Sequence, residues 1–198
     1  MSSKHFTTDW FSINIPNWSV ILADLKNKPN INGLEIGVFQ GRSVCWLLEK
    51  IFTHETAKLD AVDTFSGNIE HLDMNGVKDE LGSLYSTFVA NTAEYGDKLS
   101  IYKMPSQRFL TCFSQQNIYD FIYVDGDHHS WACLEDMVLS WPKLKNGGIM
   151  IIDDYGGGNE DTPKYELVRH GVNSFLNAYE SRYKILDIAY QIILQKIS

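Results

Sequence analysis

Acids and imidazoles crowd the points where two apolar runs stop. Phe121–Val124 ends in Asp125-Gly126-Asp127-His128-His129, and Ile149–Ile152 ends in Asp153-Asp154. Carboxylates gathered at one place repel one another unless protons or a cation come between them, so these residue types suggest a hard-cation site. An imidazole beside them adds a group that can accept a proton near neutral pH. His128 and His129 are adjacent and cannot face the same way. His128 is the favoured one at the site, with His129 turned to solvent or stacked on Trp131.

Whether the acids meet depends on the elements that carry them. Unbroken apolar runs of this length suit strands buried on both faces, as in a parallel sheet. Between them, Ser130–Leu144 carries Trp131, Leu134, Met137, Val138 and Trp141 at helical spacing, which predicts a helix with both tryptophans in the core. A strand–helix–strand unit runs its strands parallel, so both carboxyl ends open on the sheet edge where α/β proteins take ligands. The same acids have a local alternative: Asp125 and Asp127 as Asx-turn formers, and Asp153-Asp154 as a cap on the glycine-rich loop that follows.

A second stretch, Asn32–Phe52 (NGLEIGVFQGRSVCWLLEKIF), reads as a short strand at Leu34–Ile36, a turn from Gly37 to Gly41 and a helix over Ser43–Phe52. Glycines let the backbone approach a ligand closely, and the start of the helix offers unpaired amides. The pattern is Glu-x-Gly-x-x-x-Gly and departs from the Gly-x-Gly-x-x-Gly of dinucleotide sites. An acid before a glycine-poor turn suits a ligand with a cationic amino-acid end and no pyrophosphate. Asp63 ends the next strand, Leu59–Phe65, 26 residues after Gly37. That is near the spacing of an acid that binds ribose hydroxyls, though a capping role is equally open to it.

The remaining chain supplies a frame. Ile15-Pro16-Asn17-Trp18 starts a helix with Trp18, Ile21, Leu22 and Leu25 on one face, after a lead-in (residues 1–14) whose Phe6, Trp10 and Phe11 are expected to cover the core. Leu99–Met104 reads as a strand, Arg108–Gln116 as a short helix and Tyr165–Tyr179 as an amphipathic helix. Tyr183–Ile188 and Tyr190–Lys196 read as an antiparallel pair at the sheet's end. Ser66–Asp97, with weak periodicity, is a candidate lid. These elements make one domain over 1–198. A net charge of −8 argues against generic nucleic-acid or anionic-membrane binding, and no apolar run is long enough to span a bilayer. Cys45, Cys112 and Cys133 have no metal-site spacing, and the absence of a signal-like start makes a reducing cytoplasm the expected compartment.

The ordered set GLEIGVFQGRS, VDTF, MPS, VDGDHH, LKNGG and IIDDY resembles the class I S-adenosylmethionine-dependent methyltransferases, over roughly Trp18 to Lys196. Within them it resembles the Asp-Gly-Asp-His subgroup that includes macrocin-type O-methyltransferases. The resemblance implies an α/β, Rossmann-like doubly wound seven-stranded sheet, mostly parallel with an antiparallel C-terminal strand. It implies S-adenosylmethionine and Mg²⁺ as cofactors and a small hydroxylated acceptor, and a homo-oligomer is compatible with it. Glu35, Gly37 and Gly41 would border the methionine part, with Glu35 or a neighbour receiving the ammonium group and Ser43 the carboxylate. Asp63 would bind ribose, Thr64 and Phe65 would flank adenosine, and Met104 and Ser106 would meet adenine. Asp125, Asp153 and Asp154 would hold the metal, Asp125 also bordering the cofactor, and Asp127 or His128 would be the general base. A metal-independent methyltransferase using His128 or Asp127 alone, and a non-catalytic cofactor-binding protein, are the competing readings. Acceptor choice would fall to residues 1–18, Ser66–Asp97 and the Gly156–Pro163 loop.

Overall fold

Asn32–Ile36 (β1), Lys58–Asp63 (β2), Leu99–Lys103 (β3), Tyr119–Val124 (β4), Leu144–Ile152 (β5), Tyr183–Ile188 (β6) and Ile192–Lys196 (β7) form one sheet in the order β3-β2-β1-β4-β5-β7-β6. They belong to a computed structural model that describes residues 4–67 and 77–198. β1 to β5 are parallel to their neighbours, and β7 runs antiparallel to both β5 and β6. The chain is therefore doubly wound with an antiparallel C-terminal strand, as the sequence implies.

Why the apolar runs bury both faces is visible residue by residue. Phe121 and Tyr123 of β4 point into one cluster with Trp18, Leu47, Phe52 and Phe88. Their neighbours Ile122 and Val124 point into the other, with Phe109, Met137, Trp141 and Phe175. The first face is covered by Ile15–Ile21 (α1), Arg42–Lys50 (α2) and Leu84–Thr92 (α3), the second by Ser106–Cys112 (α4), Ser130–Ser140 (α5) and Val168–Ala178 (α6). Trp18 is fully buried and meets Phe11, Trp46, Phe121 and Tyr123 at 4.8 to 6.0 Å between ring centroids, so one residue ties the lead-in to the sheet.

Several expected boundaries move for local reasons. Pro142 has no amide hydrogen to continue the helix, and α5 closes at Ser140 into a tight turn over Trp141–Lys143. α4 begins at Ser106, straight after Pro105, two residues earlier than the pattern suggested. The candidate lid at Ser66–Asp97 becomes helical at Leu84–Thr92, while Asn68–Gly76 lies outside the described residues. The expectation that both tryptophans of α5 are core is half right. Trp141 packs edge-on against Phe175, but Trp131 is 57% exposed, because the face that meets α6 carries Ser130, Cys133, Leu134 and Met137.

The α5–α6 contact depends on Gly171. A Cβ built there would lie 1.9 Å from the Ser130 carbonyl oxygen. In an exposed helix, Gly→Ala adds about 1 kcal/mol of stability. Here overpacking against backbone reverses the sign, and Gly171→Ala is expected to cost about 1–3 kcal/mol in urea unfolding. A rise in the urea midpoint would contradict this packing.

Candidate functional site

Register places the chemistry. Ile36 pairs with Val62 on one side and Val124 on the other, and Val124 pairs with Ile152. The residues that follow, Gly37, Asp63, Asp125 and Asp153, therefore emerge at one height on the carboxyl edge. Hydrogen bonds continue the ladders one step past the strands: Gly37 N to Val62 O (2.9 Å), Asp125 N to Ile36 O (2.8 Å) and Asp153 N to Val124 O (3.0 Å). Gly37 has φ +80, and a Cβ on it would lie 1.8 Å from the Asp125 carbonyl oxygen. Only glycine lets β1 and β4 converge here.

A cavity of about 1340 Å³ opens at this edge. Gly37, Ser43, Asp63, Thr64, Met104 and Ser106 line its β1–β3 side. Asp125, Asp127, His128, Asp153 and Asp154 line its β4–β5 side. Asp63 accepts the amides of Val38 (2.8 Å) and Phe39 (3.1 Å) on one oxygen and that of Phe65 (2.7 Å) on the other. It fixes the turn after β1, and its remaining lone pairs stay available to hydroxyl donors.

Three expected contact residues lie behind the wall. Gly41, at φ +83, sits before α2 where a Cβ would strike the Phe88 ring at 2.9 Å. Phe65 is buried against Tyr85 and Phe88. Glu35 is completely enclosed: one oxygen is bonded to Ser43 Oγ, and Oε2 has no hydrogen-bond partner. Burial pushes its pKa up to about 8, against the pull of the Ser43 bond and helped by the charges of Asp63 and Asp153. It therefore reaches the cavity through Ser43.

On the acid side, the imidazole and the aspartates separate by role. His128 Nε2 is 3.1 Å from Asp154 Oδ2 and 4.0 Å from Asp125 Oδ1. Atoms of Asp125, His128 and Asp154 all lie within 4.8 Å of one another, close enough to share an ion. Asp127 instead turns to His129, accepting its backbone amide at 2.9 Å and meeting its Nδ1 at 2.5 Å. His129 stacks beside Trp131, the ring placement anticipated for one of the two histidines. Asp153 is occupied from three directions: Tyr123 OH, Gln191 Nε2 (3.0 Å) and the amide of Asp154 (2.8 Å) all donate to it. Tyr123 OH also reaches Asp125 at 3.0 Å. Burial, then the charges of Asp153 and Asp154, raises the Asp125 carboxyl well above its usual range, and burial with Asp154 raises Asp153.

Sequence reasoning missed the β6–β7 hairpin tip. Tyr190 OH donates to Asp154 Oδ1 at 2.5 Å, and Trp18 Nε1 donates to Gln191 Oε1 at 2.7 Å. Asp187, Ala189, Tyr190 and Gln191 line the cavity, whereas no residue of the Gly156–Pro163 loop does. A tyrosine and a glutamine between two apolar strands were the available signal. In the lead-in, Phe11 is buried in the core as expected, but Phe6, Trp10 and the edge of Phe11 line the cavity. That segment is held down by Thr7 N to Gln40 Oε1 (2.7 Å) and by Asn91, whose amide group spans the His5 and Gln40 carbonyls. No helix among the described residues is long and apolar enough to cross a membrane.

With this geometry in place, likeness to known proteins becomes informative. A family model described as a methyltransferase domain matches residues 34–155. A curated relative, an uncharacterised protein of Acanthamoeba polyphaga mimivirus, is 24% identical over 134 residues, which is 68% of this chain and 56% of that protein. The chain thus spans little more than half the relative's length. Among solved structures, the O-methyltransferase TomG of Streptomyces achromogenes, in complex with SAM, superposes with a TM-score of 0.66 at 15% identity, covering 92% of this chain and 80% of that one. An O-methyltransferase of Bacillus cereus in complex with SAH gives 0.61 at 14%, covering 98% and 84%. The methyltransferase MycE of the mycinamycin pathway, in complex with Mg, SAH and mycinamycin VI, gives 0.63 at 14%, covering 96% and 51%.

Glu35 generates a stability prediction. Its folded pKa of about 8 lies above the ordinary 4.5, so the folded chain holds a proton that the unfolded chain has released. Between those values stability falls as pH rises, with a slope of at most about 1.4 kcal/mol per pH unit from this group. Glu35→Gln has no such proton. Urea unfolding at pH 5, 7 and 9 should show the variant gaining on the wild type as pH rises, and parallel curves would contradict the burial.

Proposed function

The chain belongs to this methyltransferase family, and from that premise we propose that it carries a methyl group from S-adenosylmethionine to the oxygen of a small hydroxylated acceptor, assisted by a divalent cation such as Mg²⁺. One observation carries the reading: an acid–imidazole cluster and the acid at the tip of β2 line the same cavity, at one height on the sheet edge. The structural relatives whose complexes hold SAM, SAH or Mg support the donor and the cation.

The cofactor half follows from the β1–β3 side. Gly37 would let the donor pass close to backbone, Asp63 would receive its ribose hydroxyls, and Met104 and Ser106 would border its base. Ser43, oriented by Glu35, stands at the start of α2 for the amino-acid end.

The donor set fits a hard cation. Asp125 and Asp154 offer carboxylate oxygens on the open side of the cluster, while Asp153 is tied back by Tyr123 and Gln191 and braces them. Mg²⁺ is held by few carboxylates and keeps other positions for water or substrate oxygens, which leaves the imidazole to act as base. A bound cation would lower the pKa of the acceptor hydroxyl and fix its place. His128, paired with Asp154, accepts the hydroxyl proton as the new oxygen–carbon bond forms. Bound S-adenosylmethionine would supply an electrophilic methyl group for in-line transfer, the electron pair of the broken carbon–sulfur bond staying on sulfur. Asp127, committed to His129, shapes the loop that presents His128.

Calorimetry with S-adenosylhomocysteine is expected to give a dissociation constant of order micromolar, about −8 kcal/mol. His128→Ala should retain that binding and lose about 10²- to 10⁴-fold in turnover on a panel of vicinal-diol and catechol acceptors. EDTA should suppress the wild-type reaction and Mg²⁺ restore it. Turnover untouched by EDTA removes the cation from the proposal, and normal turnover of His128→Ala removes the base.

A further inference from the structure

We propose that the acceptor is a hydroxylated ring compound bearing a positively charged amine, and that this cavity refuses phosphorylated or carboxylated acceptors. The inference rests on the methyl transfer proposed above and adds the charge class of its substrate.

Charge is the first argument. Among the described residues, eight carboxyl side chains line the cavity and one arginine does. That arginine, Arg42, already has partners. Its Nε donates to Thr8 O at 3.2 Å and lies 3.5 Å from Asp9 Oδ1, and its guanidinium carbon sits 4.4 Å from the Phe6 ring centroid. An anionic acceptor would therefore meet eight carboxyl side chains and one cationic side chain, itself already paired with Asp9. The donor is a sulfonium with one ammonium and one carboxylate, and the proposed cation is divalent. With both in place, the acids still outnumber the positive charges. A surface of one sign concentrates ligands of the other and repels its like.

The second argument is the rim. Trp10, Trp131 and Tyr190 line the cavity and are 48%, 57% and 55% exposed. Such rings cost free energy when left wet unless a ligand covers them, and their faces attract cations. Two of them flank the reacting end: Tyr190 is bonded to Asp154, and Trp131 follows His128 by three residues on the first turn of α5. Asp187 lies on the same hairpin as Tyr190, and its Oδ2 accepts from Asn17 Nδ2 at 2.7 Å. Aromatic faces beside a carboxylate suit a protonated amine on an apolar or aromatic ring. A third argument is room. About 1340 Å³ exceeds the roughly 300–1,000 Å³ of a single-ligand pocket, so the cavity can take donor and acceptor together.

The test uses the full chain loaded with S-adenosylhomocysteine and Mg²⁺, and three matched probes: dopamine, catechol and 3,4-dihydroxybenzoate. They share a chelating diol and a ring and differ in charge. Calorimetry should rank dopamine above catechol and catechol above the benzoate, with at least tenfold between the ends. The spread should shrink as NaCl is raised, because salt screens it. Asp187→Asn should narrow the dopamine advantage. A flat or reversed order, or no binding by any of the three, overturns the proposal while leaving the methyltransferase reading intact. Failure to bind S-adenosylhomocysteine in the loading step would instead sink that earlier reading.

Discussion

Like charges held together at the end of a buried sheet are the constraint on which this structure turns. Asp125, Asp153 and Asp154 emerge from neighbouring strands, and neither burial nor mutual repulsion favours the ionised forms of Asp125 and Asp153. Uncompensated, such burial is costly. The fold compensates with donors aimed at the carboxylates: the Tyr123 hydroxyl, the Gln191 amide, the Tyr190 hydroxyl and the Asp154 backbone amide. The Trp18 indole settles which way the Gln191 amide points, since its N–H must meet an oxygen. A residue from the first helix and a hairpin at the far end of the chain thus both serve one acidic cluster.

This arrangement gives the antiparallel tail a purpose beyond closing the sheet. β7 lies against β5, so the turn into β7 reaches the strand end where Asp153 and Asp154 leave the sheet. The lead-in lines the same cavity and is tied down by Gln40 and Asn91, which also brace the turn after β1. The two sides of the cavity are therefore built on shared supports.

Much of this was legible in the sequence because parallel strands have a simple signature. Continuous apolar runs gave β4 and β5, and a glycine after an acidic strand marked the turn where backbones converge. Side-chain partnerships were less legible. Asp153 reads the same as Asp125 in sequence, yet Tyr123 and Gln191 draw it back and His128 takes the place beside Asp154. Glu35 stands next to the glycine turn after β1, but alternation along β1 buries its carboxyl behind Ser43. The hairpin tip was invisible because its contacts span the chain, from residue 18 to 191 and from 154 to 190. Trp131 was misread because helical periodicity cannot say which of two apolar stripes meets the neighbouring helix.

Thermal unfolding with Mg²⁺ titrated against EDTA tests the central claim most directly, since a ligand that binds only the folded state raises stability with concentration. For the chain loaded with S-adenosylhomocysteine, the account predicts saturable stabilisation by Mg²⁺, of about 2.7 kcal/mol at a hundred times the dissociation constant. It also predicts that Asp125→Asn combined with Asp154→Asn abolishes it. Equal responses of the wild type and the double variant, or no response in either, would contradict a cation site built from these strand-end acids.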